Sequence, residues 1–200
     1  MTDNPPSSYQ LHIGAAYYPE HWQESRWLND IHLMRTAGLS VVRMAEFAWS
    51  TPEPSPGDIR LDWLERAIEQ LAAMGIVSVL GTPTAAPPAW LVAQYPDLLA
   101  VDETGRRVQF GNRCHYCVNS PDFQAAAVRL VRAMAERFGP NRQVIGWQID
   151  NELGDRCYCD HCRAEFQRWL QQRYQTLENL NQKWDTIFWS HTYTDWSQIP

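Results

Sequence analysis

"VIGWQIDNE", residues 144–152, decides the fold. It opens as an apolar, β-branched run and ends in three polar groups. Side chains of a strand alternate between two faces. Ile145, Trp147 and Ile149 therefore share one face, suited to packing under an outer layer of helices. Gly146, Gln148, Asp150 and Glu152 share the other, which is far more polar. A barrel wall has this character, with its polar face toward the central axis and its last residue at the mouth. Glu152 is then a candidate catalyst, although a lone strand-end carboxylate is more often a cap or salt-bridge residue.

The same pattern recurs upstream. "LHIGAAYYPEHW" reads as a short strand running into a loop, "VVRMAEFAW" as a second, "IVSVLGT" as a third, and "VIGWQID" as the fourth. Helical spacing separates them. Trp27, Leu28, Ile31 and Met34 precede Gly38, and Leu64, Ile68 and Leu71 precede Gly75, each glycine marking a helix stop. "PPAWLVAQYP" is a short helix opened by prolines, and residues 97–119 form a long irregular loop. Ser120 suits an N-cap ahead of Pro121, with Val131, Met134 and Phe138 turned inward. From about residue 160 a further helix carries Phe166, Trp169, Leu170 and Tyr174 at helical spacing.

Strands alternating with helices imply βαβ units and a parallel sheet. A nucleotide-binding doubly wound sheet requires a glycine-rich turn after the first strand, and "GAAYYPEHW" is not one. The strands end instead in Tyr18 and Glu20, Glu46 and Trp49, Thr82 and Thr84, and Asn151 and Glu152. Polar groups at strand C-termini favour the (β/α)8 TIM barrel. Four strands supply about its first half, over residues 11–200, behind a flexible N-terminus of residues 1–10.

The net charge of −6 and the absence of a basic run argue against nucleic acid as a partner. No apolar stretch has the ~18 residues of a membrane span. Residues 1–10 lack the basic start and apolar run of a signal peptide, so a cytoplasmic location is expected. Of ten tryptophans most are expected in the core, while a few could line a ligand groove; composition alone does not decide. Five cysteines cluster as Cys114/Cys117 and Cys157/Cys159/Cys162, a spacing that suits thiolate metal ligands better than disulfides. Structural zinc takes four ligands, so the trio needs one more, and Cys114, Cys117, His115 and His161 are all eligible. Four thiolates leave no open position for a catalytic water, which makes such a zinc structural.

"QIDNELG" resembles the Asn-Glu strand end of barrel glycosidases. With "GAAYYPEHW", "VVRMAEFAWS", "GTPTAAPPAWL", "YPDLLAVDETGRR", "HYCVNSPDF", "CYCDHC" and "LNQKWDTIFWS", nearly the whole chain resembles the family 42 β-galactosidases. The resemblance implies a retaining hydrolase of terminal β-linked galactose. Glu152 would be its acid/base, and Asn151 would hydrogen-bond the sugar beside the reacting carbon. Arg113, in "GNRCHYC", would help hold the galactose. The nucleophile would be a glutamate on a seventh strand, beyond residue 200, and Glu20, Glu46 and Glu53 do not stand in for it.

The resemblance also selects Cys117, with Cys157, Cys159 and Cys162, as the ligands of a structural Zn2+, leaving Cys114 a spare thiol. The metal would then clamp the Arg113 loop without touching the reaction. The family further implies a homo-oligomer, a trimer among the possible forms. Strict alternation points Asn151 away from Glu152, so the strand must twist or break there if both reach one sugar. Glu46 is expected to partner Arg43 or a site residue, and Trp49 and Tyr18 to be wall or core. The contrasting reading is an inactive sugar-binding or zinc-binding fragment.

Overall fold

The computed structural model describes residues 11–154 and 156–200; the expected flexible N-terminus lies outside them. The chain divides into two compact units, one running to Pro88 with Arg129–Glu152 added, the other Ala89–Val128 with Leu153–Pro200.

The first unit holds a parallel sheet of β1 (Gly14–Ala16), β2 (Val41–Met44), β3 (Val77–Gly81) and β4 (Val144–Gln148), in that spatial order. Helix α1 (Glu24–Thr36) joins β1 to β2, and α2 (Asp62–Ala73) joins β2 to β3. Sequential strands that are also spatial neighbours, each pair bridged by helix, are the opening of a TIM barrel. Pairing of Val42 with Ser78 and of Met44 with Leu80 puts all four on one face, where all are fully buried. Leu64, Ile68 and Leu71 of α2 are buried as their spacing predicts, and Gly38 and Gly75 end the two helices at φ +82° and +71°. In α1 the buried residues are Trp27, Asp30 and Ile31, whereas Leu28 is exposed. The buried Asp30 accepts from Tyr17 and Arg26, which the apolar spacing could not signal.

Strand β4 departs from the expected alternation. Val144 pairs with Ser78 but Gly146 with Val79, so Ile145 is the extra residue of a bulge. Trp147 pairs with Leu80 and keeps the expected face, half-buried; Ile145 and Ile149 are exposed.

The second unit contains α3 (Ala89–Gln94), the start of α4 (Pro121–Phe138), α5 (Asp160–Tyr174) and α6 (Leu177–Trp184). Ser120 caps α4 weakly, its Oγ 3.4 Å from the Phe123 amide. Met134 and Phe138, in the part of α4 that belongs to the first unit, are buried and Val131 half-buried. Residues 97–119 are irregular apart from a 3-10 turn at Pro96–Leu98 and the single bridges Leu99–Tyr116 and Val101–Arg107. Leu170, Leu180 and Ile199 form one small core cluster of the unit, flanked by Tyr174, Tyr193 and Trp196. The expected inward placement of Phe166 and Trp169 fails: both are exposed and stack on each other at 6.0 Å.

Candidate active site

Strand β4 leaves the sheet at Gln148, and the chain then turns sharply. Asp150 and Glu152 take left-handed φ values of 57° and 46°. That conformation costs roughly 1–2 kcal/mol for an ordinary residue, and Asp tolerates it best because its side chain can bond locally. Asp150 does so. Its Oδ1 accepts the Asn151 amide at 2.6 Å, and its Oδ2 accepts the Thr84 hydroxyl at 3.0 Å. Its own amide donates to Thr82 Oγ1 at 2.7 Å, and the two threonine oxygens lie 3.2 Å apart. Gln148 Nε2 closes the turn, donating to the Asp150 carbonyl at 2.8 Å and to Asn151 Oδ1 at 2.9 Å. Thr82, Thr84 and Asn151 are buried, while Glu152 is exposed. The break that Asn151 and Glu152 need in order to work together is therefore present. Neither residue lies in the regular strand, so the alternation that placed Glu152 with Gly146 and Gln148 does not extend to it.

A second polar cluster lies at the ends of β1 and β2. Glu46 is fully buried, and its Oε1 accepts from Tyr18 at 3.0 Å and pairs with Arg43 at 2.8 Å. The expected Arg43–Glu46 partnership is thus formed. Ala45 ahead of it is left-handed at φ 78°. A Cβ on Gly81 would lie 2.4 Å from the Glu46 Cβ, so the end of β3 must be glycine for this turn to approach. Beside Glu46, both carboxylate oxygens of Glu20 are buried without a hydrogen-bond donor among the described residues. Burial pushes the Glu20 carboxyl up to about 7, and the Glu46 charge adds to it. Nothing in "YYPEHW" signals that burial, which follows from the tight turn Pro19–His21. Trp49 is buried, as expected, and donates to Glu53 at 2.9 Å; Glu53 also takes Gly57 and Arg129 and anchors the loop after β2.

In the second unit, Arg113 follows the turn at Gly111 (φ 123°), and its amide donates to Asn112 Oδ1 at 2.9 Å. Further along this loop, the Sγ atoms of Cys117, Cys157, Cys159 and Cys162 lie within 4.8 Å of one another. Cys117 is 3.4 Å from both Cys159 and Cys162, far beyond a disulfide bond of ~2.0 Å. Tetrahedral zinc with Zn–S bonds of ~2.3 Å would set sulfurs about 3.8 Å apart, so the four thiols fit that ion. The Val101 amide points at Cys157 Sγ (3.4 Å) and Asn119 Nδ2 at Cys162 Sγ (3.3 Å), donors of the kind that support thiolates. Burial works against ionising Cys159, but the Cys162 backbone N–H, the Cys117 and Cys157 thiols and the His161 backbone N–H together outweigh it and hold that thiol low. Cys114, His115 and His161 stand outside the four.

Comparison with known proteins gives a consistent family. Residues 16–200 match the family 42 glycoside hydrolase model, described as β-galactosidase. A β-galactosidase of Thermus thermophilus is 50% identical over 191 residues, which are 94% of this chain and 30% of that protein. The crystal structure of a β-galactosidase from the psychrophilic Marinomonas ef1 superposes with a TM-score of 0.90 at 43% identity, over 94% of this chain and 29% of that one. A β-galactosidase from the Antarctic haloarchaeon Halorubrum lacusprofundi gives 0.90 at 41%, with the same shares. The chain thus spans about 30% of the length of the curated relatives it matches, and its parallel sheet with helices corresponds to the N-terminal half of their TIM barrel. On these grounds the chain belongs to glycoside hydrolase family 42, the β-galactosidase family.

Proposed function

We propose that these residues form the acid/base half of a retaining hydrolase that removes terminal non-reducing β-D-galactose. The observation that carries the reading is the left-handed turn after β4, which presents Asn151 and Glu152 consecutively in a member of this family. Glu152, protonated, gives its proton to the glycosidic oxygen as a second carboxylate attacks the anomeric carbon. The C–O bond breaks, the alcohol leaves, and a galactosyl ester remains on that second carboxylate. Glu152, now a base, takes a proton from water, whose oxygen displaces the ester and restores the β-configuration. Asn151 hydrogen-bonds the hydroxyl next to the reacting carbon, and Arg113 holds the galactose. The attacking carboxylate is a glutamate on a later strand, outside residues 1–200.

Cys117, Cys157, Cys159 and Cys162 would hold a structural Zn2+, whose contribution is to tie their loops together. A cluster of four thiols suits a reducing compartment, and we place the protein in the cytoplasm as a homo-oligomer, with a trimer among the possible forms. No described helix is long and apolar enough to cross a membrane.

The test is Glu152→Ala in the full-length protein. Loss of an acid/base group is expected to lower kcat/KM on phenyl β-galactoside by about 10²–10⁴-fold. Azide is expected to restore turnover of an activated aryl galactoside and to yield β-galactosyl azide. Unchanged kinetics would remove Glu152 from the reaction.

A further inference from the structure

We propose that Asp150 is the positioning residue of the candidate active site, fixing the turn that aims Asn151 and Glu152, with Thr82 and Thr84 as its anchors. The inference rests on the reading of Glu152 as acid/base. A chain leaving a strand in a left-handed turn would ordinarily use glycine, which fits the dihedrals but holds nothing. Asp150 fits them and is also held. Its two carboxylate oxygens take the Asn151 amide (2.6 Å) and the Thr84 hydroxyl (3.0 Å), and its amide reaches Thr82 (2.7 Å).

Both threonines follow β3, the strand that pairs with β4, so Asp150 fastens the loose end of one strand to the next. Thr84 is buried, which keeps water from substituting for its hydroxyl. The Asn151 backbone is thereby fixed at its N–H, and Gln148 fixes its side chain from the other direction (2.9 Å). Glu152 is the next residue and is itself left-handed, so its carboxyl inherits the position of this turn. A general acid must stand about 2.6–3.2 Å from the oxygen it protonates, and a misplacement of about 1 Å costs ~10²-fold. Asp150 touches no reacting atom in this scheme; it acts through its neighbours.

The leaving group provides the test. A misaimed acid harms substrates whose departing alkoxide needs a proton and spares those whose leaving group departs unaided. In the full-length protein, kcat/KM reads the first, acid-assisted half of the reaction. Asp150→Ala is expected to lose about 100-fold on phenyl β-galactoside and less than about fivefold on the dinitrophenyl compound. Asp150→Asn is expected to recover most of the loss, because Asn accepts the left-handed conformation and keeps an acceptor for the Asn151 amide.

Thr84→Val, nearly isosteric, is expected to show the same leaving-group dependence at about tenfold, and it carries the test if Asp150→Ala does not fold. Equal losses on both substrates, or none, would overturn the proposal. Glu152→Ala run alongside separates the two failures. If that variant loses the phenyl substrate while the Asp150 and Thr84 variants show no leaving-group dependence, only the positioning role falls. If Glu152→Ala itself is unimpaired, the acid/base reading falls first.

Discussion

A carboxylate with buried oxygens and no donor is an unfavourable thing to keep ionised, and among the described residues none donates to Glu20. Its carboxyl is pushed up to about 7 in the folded chain, with burial the main cause, against an ordinary value of 4.5. The native state therefore binds this proton more tightly than the unfolded chain. Between about pH 4.5 and 7 the native state carries more protons, so the Glu20 contribution to stability falls as pH rises through that window. The full penalty, on the order of 3 kcal/mol, applies above pH 7. The titratable groups that interact with it are Glu46 and Tyr17, and Glu46 is itself paired with Arg43. Glu20→Gln mimics the protonated acid at every pH. Urea unfolding at pH 5 and pH 8 should show the parent losing stability across that interval by about 2 kcal/mol more than Glu20→Gln does. An identical pH dependence in both proteins would mean that Glu20 is ionised in the folded chain.

At the scale of elements, the four thiols gather the loop ending at Cys117 and the first turn of α5. That loop is also held by two isolated bridges, by the Tyr158 amide on the Val101 carbonyl at 2.8 Å and by the stacking of Tyr116 on Phe123 at 4.2 Å. Protein purified with zinc is expected to contain one ion per chain. Its removal by a chelator should speed amide exchange about 100-fold at Val101, Tyr158 and Arg163, leaving Val42 and Leu80 in the sheet protected. Unchanged exchange after removal, or no bound zinc, would end the structural role assigned to the metal. Element reading from sequence worked where a repeat and a stop coincide. Helix α2 has both its apolar stripe and Gly75, and its three expected core residues are buried. It failed where spacing names a face but not what covers it. Leu170 and Trp169 are adjacent in "FQRWL", yet Leu170 packs with Leu180 and Ile199, while Trp169 lies outside with Arg173 over its ring at 5.2 Å. Helix α6 is short, and its signal was one cap, Thr176 accepting from the Asn179 amide. The bulge at Ile145 and the left-handed turn after β4 arise from pairing with β3 and its threonines, which the alternation of one strand does not contain.

For the molecule as a whole, the decisive quantity is how many carboxylates meet at one sugar. A retaining glycosidase needs two, about 5–5.5 Å apart. On the proposed reading Glu152 is one of them; Glu46 is bound to Arg43 and Tyr18, and Glu53 to Arg129 and Trp49. The sheet also presents β4 as an edge, with Ile145 48% and Ile149 75% exposed, a surface that favours association with another chain. Residues 1–200 expressed alone are therefore expected to show no turnover of a chromogenic β-galactoside and to self-associate in light scattering. Ile145→Lys should raise the monomer fraction, because a charge on an exposed edge strand blocks strand-to-strand pairing. A chimera in which residues 16–200 replace the matching segment of the Thermus thermophilus β-galactosidase should hydrolyse the same substrate, and should lose that activity again with Glu152→Ala. Turnover by residues 1–200 alone would place both carboxylates inside this chain, with Glu20 or Glu46 the first to examine. An inactive but folded chimera would mean instead that this β4 turn does not serve as the acid/base end of such a barrel.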